Sequence, residues 1–302
     1  MRRRGGHLAC LLVFAAALLT AYPLTAQTLA TFDSFAAEQM DPGRWAGMEH
    51  AIRYGSPAGG WSNEIESQWT YHPEFSVVNT VFDRRIVGGK LRLHLVTRGG
   101  THDNTMAPGH GRLALRARTL HDFVTRVQAR VTVVAAETPP CRSTAESRTR
   151  AQLYAAISNV ASATGMFATL SLQRSSFGDD AIVAVLSRCL DSACQVAEDL
   201  DWVTFSRSWT RRSAHTLTIT HRRANARVVF SVAGGGVAAE SRTLRYSPPL
   251  PEESAGHEFA VGVENSPANC PATGAAASER VGVSIDARFD NVRVNASAVP
   301  EP

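Results

Sequence analysis

The sequence predicts an all-β protein, a sandwich or barrel of antiparallel strands, on three observations. Apolar runs beyond the first 26 residues are short and rich in Val, Leu, Thr and Phe. Almost every run is bounded by Gly, Pro, Asn, Asp or Ser. No long stretch carries the apolar spacing of an amphipathic helix.

Lys90 to Thr97 sets the pattern. Leu91, Leu93 and Leu95 alternate with Arg92 and His94, the period of two that buries one face of a strand. The same reading makes strands of Arg126 to Val134, Ala151 to Ser158, Met166 to Gln173, Ala181 to Arg188, His215 to Thr220, Arg227 to Val232, Glu258 to Val263 and Val281 to Asn295. Loops are expected at Ala135 to Arg150, at Gly234 to Gly236, at Tyr246 to Gly256 with Pro248, Pro249 and Pro251, and at Asn265 to Ser278. None reads as an interdomain linker. One domain is expected from about residue 28 to about 295, followed by a frayed tail over 296–302.

The chain has 302 residues, 44% of them hydrophobic and 19% charged, a composition that excludes a multi-span membrane protein, a disordered chain and a collagen-like polymer. Arg2 to Arg4, the apolar run Leu8 to Leu19 and the approach Tyr22-Pro-Leu-Thr-Ala26 read as a signal peptide cleaved after residue 26. The apolar core is short of the ~20 residues that a bilayer-spanning helix needs, so secretion is expected, with no membrane contact once the leader is removed. The formal charge of +4 includes those three leader arginines, and the near-neutral remainder argues for no nucleic-acid partner. Lys90 is the single lysine, an arginine excess best read as coding bias.

Cys10 leaves with the leader. The four cysteines that remain, an even number in an oxidising compartment, favour two disulfides. Cys189 and Cys194 flank four residues between two apolar runs, as for a pair across a hairpin end, which leaves Cys141 for Cys270. A zinc site is the alternative, and none of its usual CxxC spacings is present.

Several segments resemble, in order, the concanavalin A-like lectin and glucanase superfamily, most nearly its secreted laminarinase-type glycoside hydrolases. Phe32-Asp33-Ser34-Phe35 and Met40-Asp41-Pro42-Gly43-Arg44-Trp45 are similar to that family's opening strand and the turn leading to a tryptophan. Trp61-Ser-Asn-Glu64-Ile-Glu66-Ser-Gln68-Trp69-Thr70, Gly88-Gly89-Lys90-Leu91-Arg92-Leu93 and the closing Phe289-Asp290-Asn291-Val292-Arg293-Val294 follow. The resemblance implies a two-sheet antiparallel jelly-roll sandwich whose first and last strands lie side by side. It also implies a structural calcium ion where those strands meet, with Asp290 as a ligand beside backbone carbonyls near Asp33.

Such enzymes place carboxylates at alternate positions of one strand, E-x-D-x-E or E-x-D-x-x-E, so that all of them face one sugar. The corresponding region here, Arg148 to Ser158, contains no carboxylate. The expectation is therefore a glycan-binding sandwich without the family's hydrolytic residues and without a required cofactor. The ligand is expected against Trp61, Glu64, Gln68 and Trp69, which combine aromatic planes with polar groups. The alternatives are a polysaccharide-degrading enzyme, hydrolase or lyase, with Glu64 and Glu66 as its carboxylates, and a structural or interaction sandwich with no sugar ligand. The histidines are scattered, and His102, Asp103 and His110 read as a solvated loop. Nucleophile-elbow, P-loop and dinucleotide fingerprints are missing from the sequence.

Overall fold

The computed structural model describes residues 28–37, 40–52, 66–70, 79–99, 110–117, 120, 122–139, 146–158, 165–190, 197–247, 256–268 and 282–299. Nine strands form one sheet. Their spatial order is β14 (Val237–Arg245), β13 (Arg227–Gly234), β12 (Ala214–Arg222), β7 (Arg126–Glu137), β16 (Gly282–Asn295), β5 (Leu91–Arg98), β4 (Asn79–Ile86) and β3 (Glu66–Thr70), and β1 (Leu29–Asp33) pairs with the end of β16. Seven strands form the other sheet, in the order β11 (Ala197–Thr204), β10 (Asp180–Cys189), β9 (Met166–Ser175), β8 (Arg148–Ala156), β15 (Phe259–Ser266), β6 (His110–Ala117) and β2 (Trp45–Ile52). All pairings are antiparallel, so the architecture is the two-sheet jelly-roll sandwich that the sequence predicts. β1 lies beside β16, with Leu29 opposite Asn295 and Asp33 opposite Val292.

Alternation decides what lies between the sheets. Leu91, Leu93 and Leu95 of β5 are fully buried, as are Val127, Val131 and Val133 of β7 and Ile285, Ala287 and Phe289 of β16. Across from them lie Leu153, Leu170, Leu172, Val261 and Val263 of the smaller sheet. Burial of each such aliphatic side chain contributes roughly 1.5–3 kcal/mol. Asn265, also fully buried, ties the layers together: its amide nitrogen donates to the carbonyls of Leu95 (3.1 Å) and Val283 (2.9 Å) in the other sheet, and its oxygen accepts from the Thr149 hydroxyl (2.6 Å). Asn295 is likewise buried and uses both amide functions, accepting from the Thr125 N–H and donating to the Phe123 carbonyl.

The opening motif folds into an aromatic knot. Asp33 accepts the Trp45 indole N–H at 2.6 Å and the Phe35 N–H at 2.6 Å. The Trp45 ring packs edge-on against Phe32 and Phe259 and stacks on Phe35. Asp41 closes the preceding turn by accepting the backbone N–H groups of Arg44 and Trp45 on its carbonyl.

Several boundaries differ from the sequence reading. β7 runs on to Glu137 because a register shift against β16 at Asp286/Ala287 absorbs the extra residue and pairing continues. β8 starts at Arg148 and β15 ends at Ser266, each extending into an expected loop, because those two residues pair with each other. β2, β4, β6, β11 and β14 are strands the alternation did not announce. β11 is mostly exposed on both faces and exists by edge pairing with β10, and β14 pairs with β13 across the glycine turn. At that turn Gly235 has φ +66°, and a Cβ there would sit 2.3 Å from His215 Cε1.

Candidate functional site

In β8 the alternation Arg148, Arg150, Gln152, Tyr154 points away from the core, while Thr149, Ala151, Leu153 and Ala155 are buried between the sheets. Register then aligns neighbouring strands into three outward rows. The first holds Arg112, Glu264, Arg150 and Gln173; the second Ala114, Gly262, Gln152 and Ser171; the third Arg116, Ala260, Tyr154, Thr169, Val185 and Trp202. Arg150 and Tyr154 are four residues apart on one strand, about 13 Å. One end of the face is thus charged, the middle is floored by small side chains, and the far end is aromatic.

Glu264 organises the charged end. Its side chain is 1% exposed, and its Oε2 accepts from Arg112 Nε (3.2 Å) and Nη2 (3.1 Å) and from Gln152 Nε2 (3.1 Å). Arg150 Nη2 donates to Oε1. Beside it lies a cavity of about 340 Å³ lined by Glu146, Arg148, Arg150, Gln173, Glu264 and Ser266. Burial raises the Glu146 pKa, but hydrogen bonds from Arg148 and Ser175 and the charge of Arg148 outweigh it and hold the carboxyl below its ordinary value.

At the other end, burial and then the charge of Glu258 push the Tyr154 phenol well above its usual pKa, so it stays a proton-bearing donor. Its ring lies 5.2 Å from that of Phe167. Burial also raises Glu258, against the pull of Arg116, whose Nη1 is 3.7 Å from Glu258 Oε2. Trp202, 64% exposed on the edge strand β11, finishes the row.

Glycoside hydrolysis uses two carboxyl groups about 5–10 Å apart, one of them protonated. Both carboxylates in the cavity are bound by guanidinium groups. Glu258 precedes Glu264 by six residues, roughly 20 Å along an extended chain. Among the described residues, this face therefore offers guanidinium, amide and phenol donors beside aromatic planes.

The residues singled out in the sequence lie elsewhere or outside the described residues. Trp61 and Glu64 are among the latter. Glu66, Gln68 and Trp69 belong to β3, the edge strand of the nine-stranded sheet, at register positions opposite Asp83, Val81 and Thr80, so they are not on the sheet that holds Glu264. Cys189 is fully buried, at the end of the β10–β11 hairpin, and disulfide-bonded; its expected partner Cys194, and Cys141 and Cys270, lie outside the described residues.

Asp290 sits opposite Arg130, two residues before the segment of β16 that meets β1. The Phe32 and Leu29 carbonyls accept from Arg44 and Arg293, and both Asp33 carboxylate oxygens are used as above. A calcium ion beside Asp33 would therefore compete with the Phe35 and Trp45 N–H groups and with Arg44 for these acceptors. Among the described residues no group of three or more His, Cys, Asp and Glu is placed to hold a metal.

The fold and this face define an antiparallel sandwich with a polar, aromatic-ended outer surface on its smaller sheet. No family model and no curated protein matches the chain. Among solved structures it is similar to a LamA variant from Z. galactanivorans in complex with laminaritriose and laminaritetraose, at 12% identity over 88% of this chain and 98% of that one, with a TM-score of 0.46. It is similar also to SCLam, a non-specific endo-β-1,3(4)-glucanase from family GH16, at 12% identity over 88% and 90% of the two chains, TM-score 0.43. Peanut lectin with a 9mer peptide matches at 10% identity over 85% and 99%, TM-score 0.33. At these values the likenesses assign this chain neither an activity nor a ligand.

Proposed function

We propose that this chain is an exported glycan-binding sandwich whose ligand lies along the outer face of the seven-stranded sheet. The observation that carries the reading is the alignment, on one face, of the exposed Trp202 and the protonated Tyr154 with the donors around Glu264. Sugars present apolar C–H faces and rings of hydroxyls, and a site for them needs an aromatic plane beside fixed polar groups. Export rests on the leader-like first 26 residues; among the described residues no helix is long and apolar enough to cross a membrane. An N-terminus at residue 27 in protein recovered from the medium or periplasm is the expected check.

The binding test is a panel of polysaccharides probed with the folded protein and with Trp202→Ala. The variant should lose most of its binding while its stability changes by less than about 0.5 kcal/mol, as for an exposed side chain. Trp69→Ala serves as the rival. Binding that is lost there and retained in Trp202→Ala moves the site to β3.

A second reading, a polysaccharide-degrading enzyme, draws on Glu258, whose carboxyl pKa burial raises, and on the Tyr154 phenol, both on the same face. Chain cleavage that disappears in Glu258→Gln or Tyr154→Phe would establish it in place of simple binding.

A further inference from the structure

We infer that the cavity beside Glu264 receives an anionic group, the carboxylate or sulfate of an acidic polysaccharide, so that the glycan bound here is a charged one. This deepens the glycan-binding reading and rests on it. The argument begins with charge. The cavity is lined by the carboxylates of Glu146 and Glu264 and the guanidiniums of Arg148 and Arg150, and Arg112 adds a third guanidinium on Glu264. The wall itself is balanced, and Arg112, held on Glu264 beside it, gives the cluster as a whole a net charge of +1 that favours an anionic ligand.

The donors that carry this charge are held in place and still accessible. Glu264 is closed to a ligand, being 1% exposed with donors on both its oxygens, and its role is to fix two guanidiniums side by side. A guanidinium has five N–H groups. The described hydrogen bonds use Nε and Nη2 of Arg112 and Nη2 of Arg150, on side chains that are each 33% exposed. Further N–H groups of both remain for a partner. Gln173, next to Arg150 in the same row, lines the cavity, and its side-chain amide makes no hydrogen bond among the described residues. A wall rich in charged donors, whose carboxylates are already occupied, matches an acceptor-only anion better than a neutral hydroxyl, which also needs somewhere to donate.

Small residues give the ligand a path onward. The row between the charged row and the row of Tyr154 and Trp202 is Ala114, Gly262, Gln152 and Ser171, so a chain anchored by its anion crosses mostly small side chains toward the aromatic end.

The test measures binding of the purified protein to polygalacturonate, to dextran sulfate and to neutral laminarin, at low and high salt, for the wild type, Gln173→Glu and Arg148→Gln. Gln173→Glu keeps the shape and places a negative charge in the cavity. Arg148 is 54% exposed, so its replacement removes a donor at the rim rather than core packing. At least one acidic polymer should bind about tenfold or more tighter than laminarin, weaken with salt, and lose about tenfold in each variant, the scale of one charged hydrogen bond. Melting midpoints should stay unchanged. Binding of polygalacturonate alone assigns a carboxylate, and binding of dextran sulfate alone a sulfate. Laminarin bound as tightly as both acidic polymers, or acidic binding indifferent to both variants, overturns the inference and leaves the glycan reading standing. If none of the three binds, that reading falls with it.

Discussion

On the outer face of the nine-stranded sheet, Arg92 reaches Asp286 at 2.7 Å and Asp83 at 3.3 Å, Arg85 reaches the same Asp83 at 3.0 Å, and Gln128 donates to Thr218 at 3.0 Å. The corresponding face of the seven-stranded sheet buries the Glu264 carboxylate under two arginines and a glutamine, and beside it leaves Ala114, Gly262 and Ala260 as a low floor. Both faces come from the same alternation of apolar and polar residues. They differ in side-chain length. Long charged side chains in adjacent rows pair with one another and lie over their own sheet, whereas small residues between long ones leave a hollow bordered by oriented donors.

The largest effect that separates the two faces is expected on stability. Glu264, 1% exposed, accepts from two guanidiniums and from the buried Gln152 amide, and charged hydrogen bonds are worth about 1.5–3 kcal/mol each. Asp286, 17% exposed, accepts among the described residues from Arg92 alone, in a partly exposed pair worth about 1 kcal/mol. Glu264→Ala should therefore destabilise several times more than Asp286→Ala when their urea midpoints are compared at equal m-values. Equal losses would erase the distinction drawn between the faces.

Next in size is a pH effect from the inward side of the nine-stranded sheet. His221 is buried against the Tyr246 hydroxyl at 2.7 Å, and burial, then the nearby Arg223 charge, lowers its pKa from 6.5 to about 4. Burial also lowers His215. The unfolded chain takes up the His221 proton first, so this contribution is fully present above about pH 6.5 and is lost as pH falls toward 4, up to about 3 kcal/mol in all. A plot of stability against pH for wild type minus His221→Gln should slope upward between those limits. A flat difference plot would show that the imidazole is not held neutral.

A smaller change probes the floor itself. A Cβ on Gly262 would come within 2.6 Å of the Ala114 Cβ, while one on Gly282, on the outer face of the other sheet, meets nothing closer than Arg98 Cγ at 3.8 Å. Gly262→Val should cost about 1–3 kcal/mol through overpacking and also block the path across the face; Gly282→Ala should stay within about 0.5 kcal/mol. The smallest effect is expected from a chelator. With Arg44 on the Phe32 carbonyl and N–H donors on both Asp33 carboxylate oxygens, the melting midpoint should not move, and a drop of several degrees would show ligands beyond those described.

Much of the sandwich was legible because its signal is local. Leu91, Leu93 and Leu95 state which face of β5 is buried whatever that strand pairs with, and the Asp33 and Trp45 segments that meet in the aromatic knot are only 12 residues apart. β11 was not legible: Glu198, Asp199 and Asp201 give it no alternation, and it is a strand because β10 offers an edge.

The candidate face divides along the same line. Sequence alone places Gln152 and Tyr154 on one side of a strand, since a strand points alternate side chains the same way; Arg148 and Arg150, expected in the preceding loop, join that side because β8 extends back along β15. Nothing local selects Glu264, which follows Arg150 by 114 residues and Arg112 by 152 and meets them only through the β6–β15–β8 register. Register between distant strands is settled by the packing of the whole core, because a slip of one residue would turn every buried side chain of β15 outward. The sequence by itself determined that this chain makes alternating strands with apolar inner faces; which polar residues then share one outer surface was decided only when the strands paired.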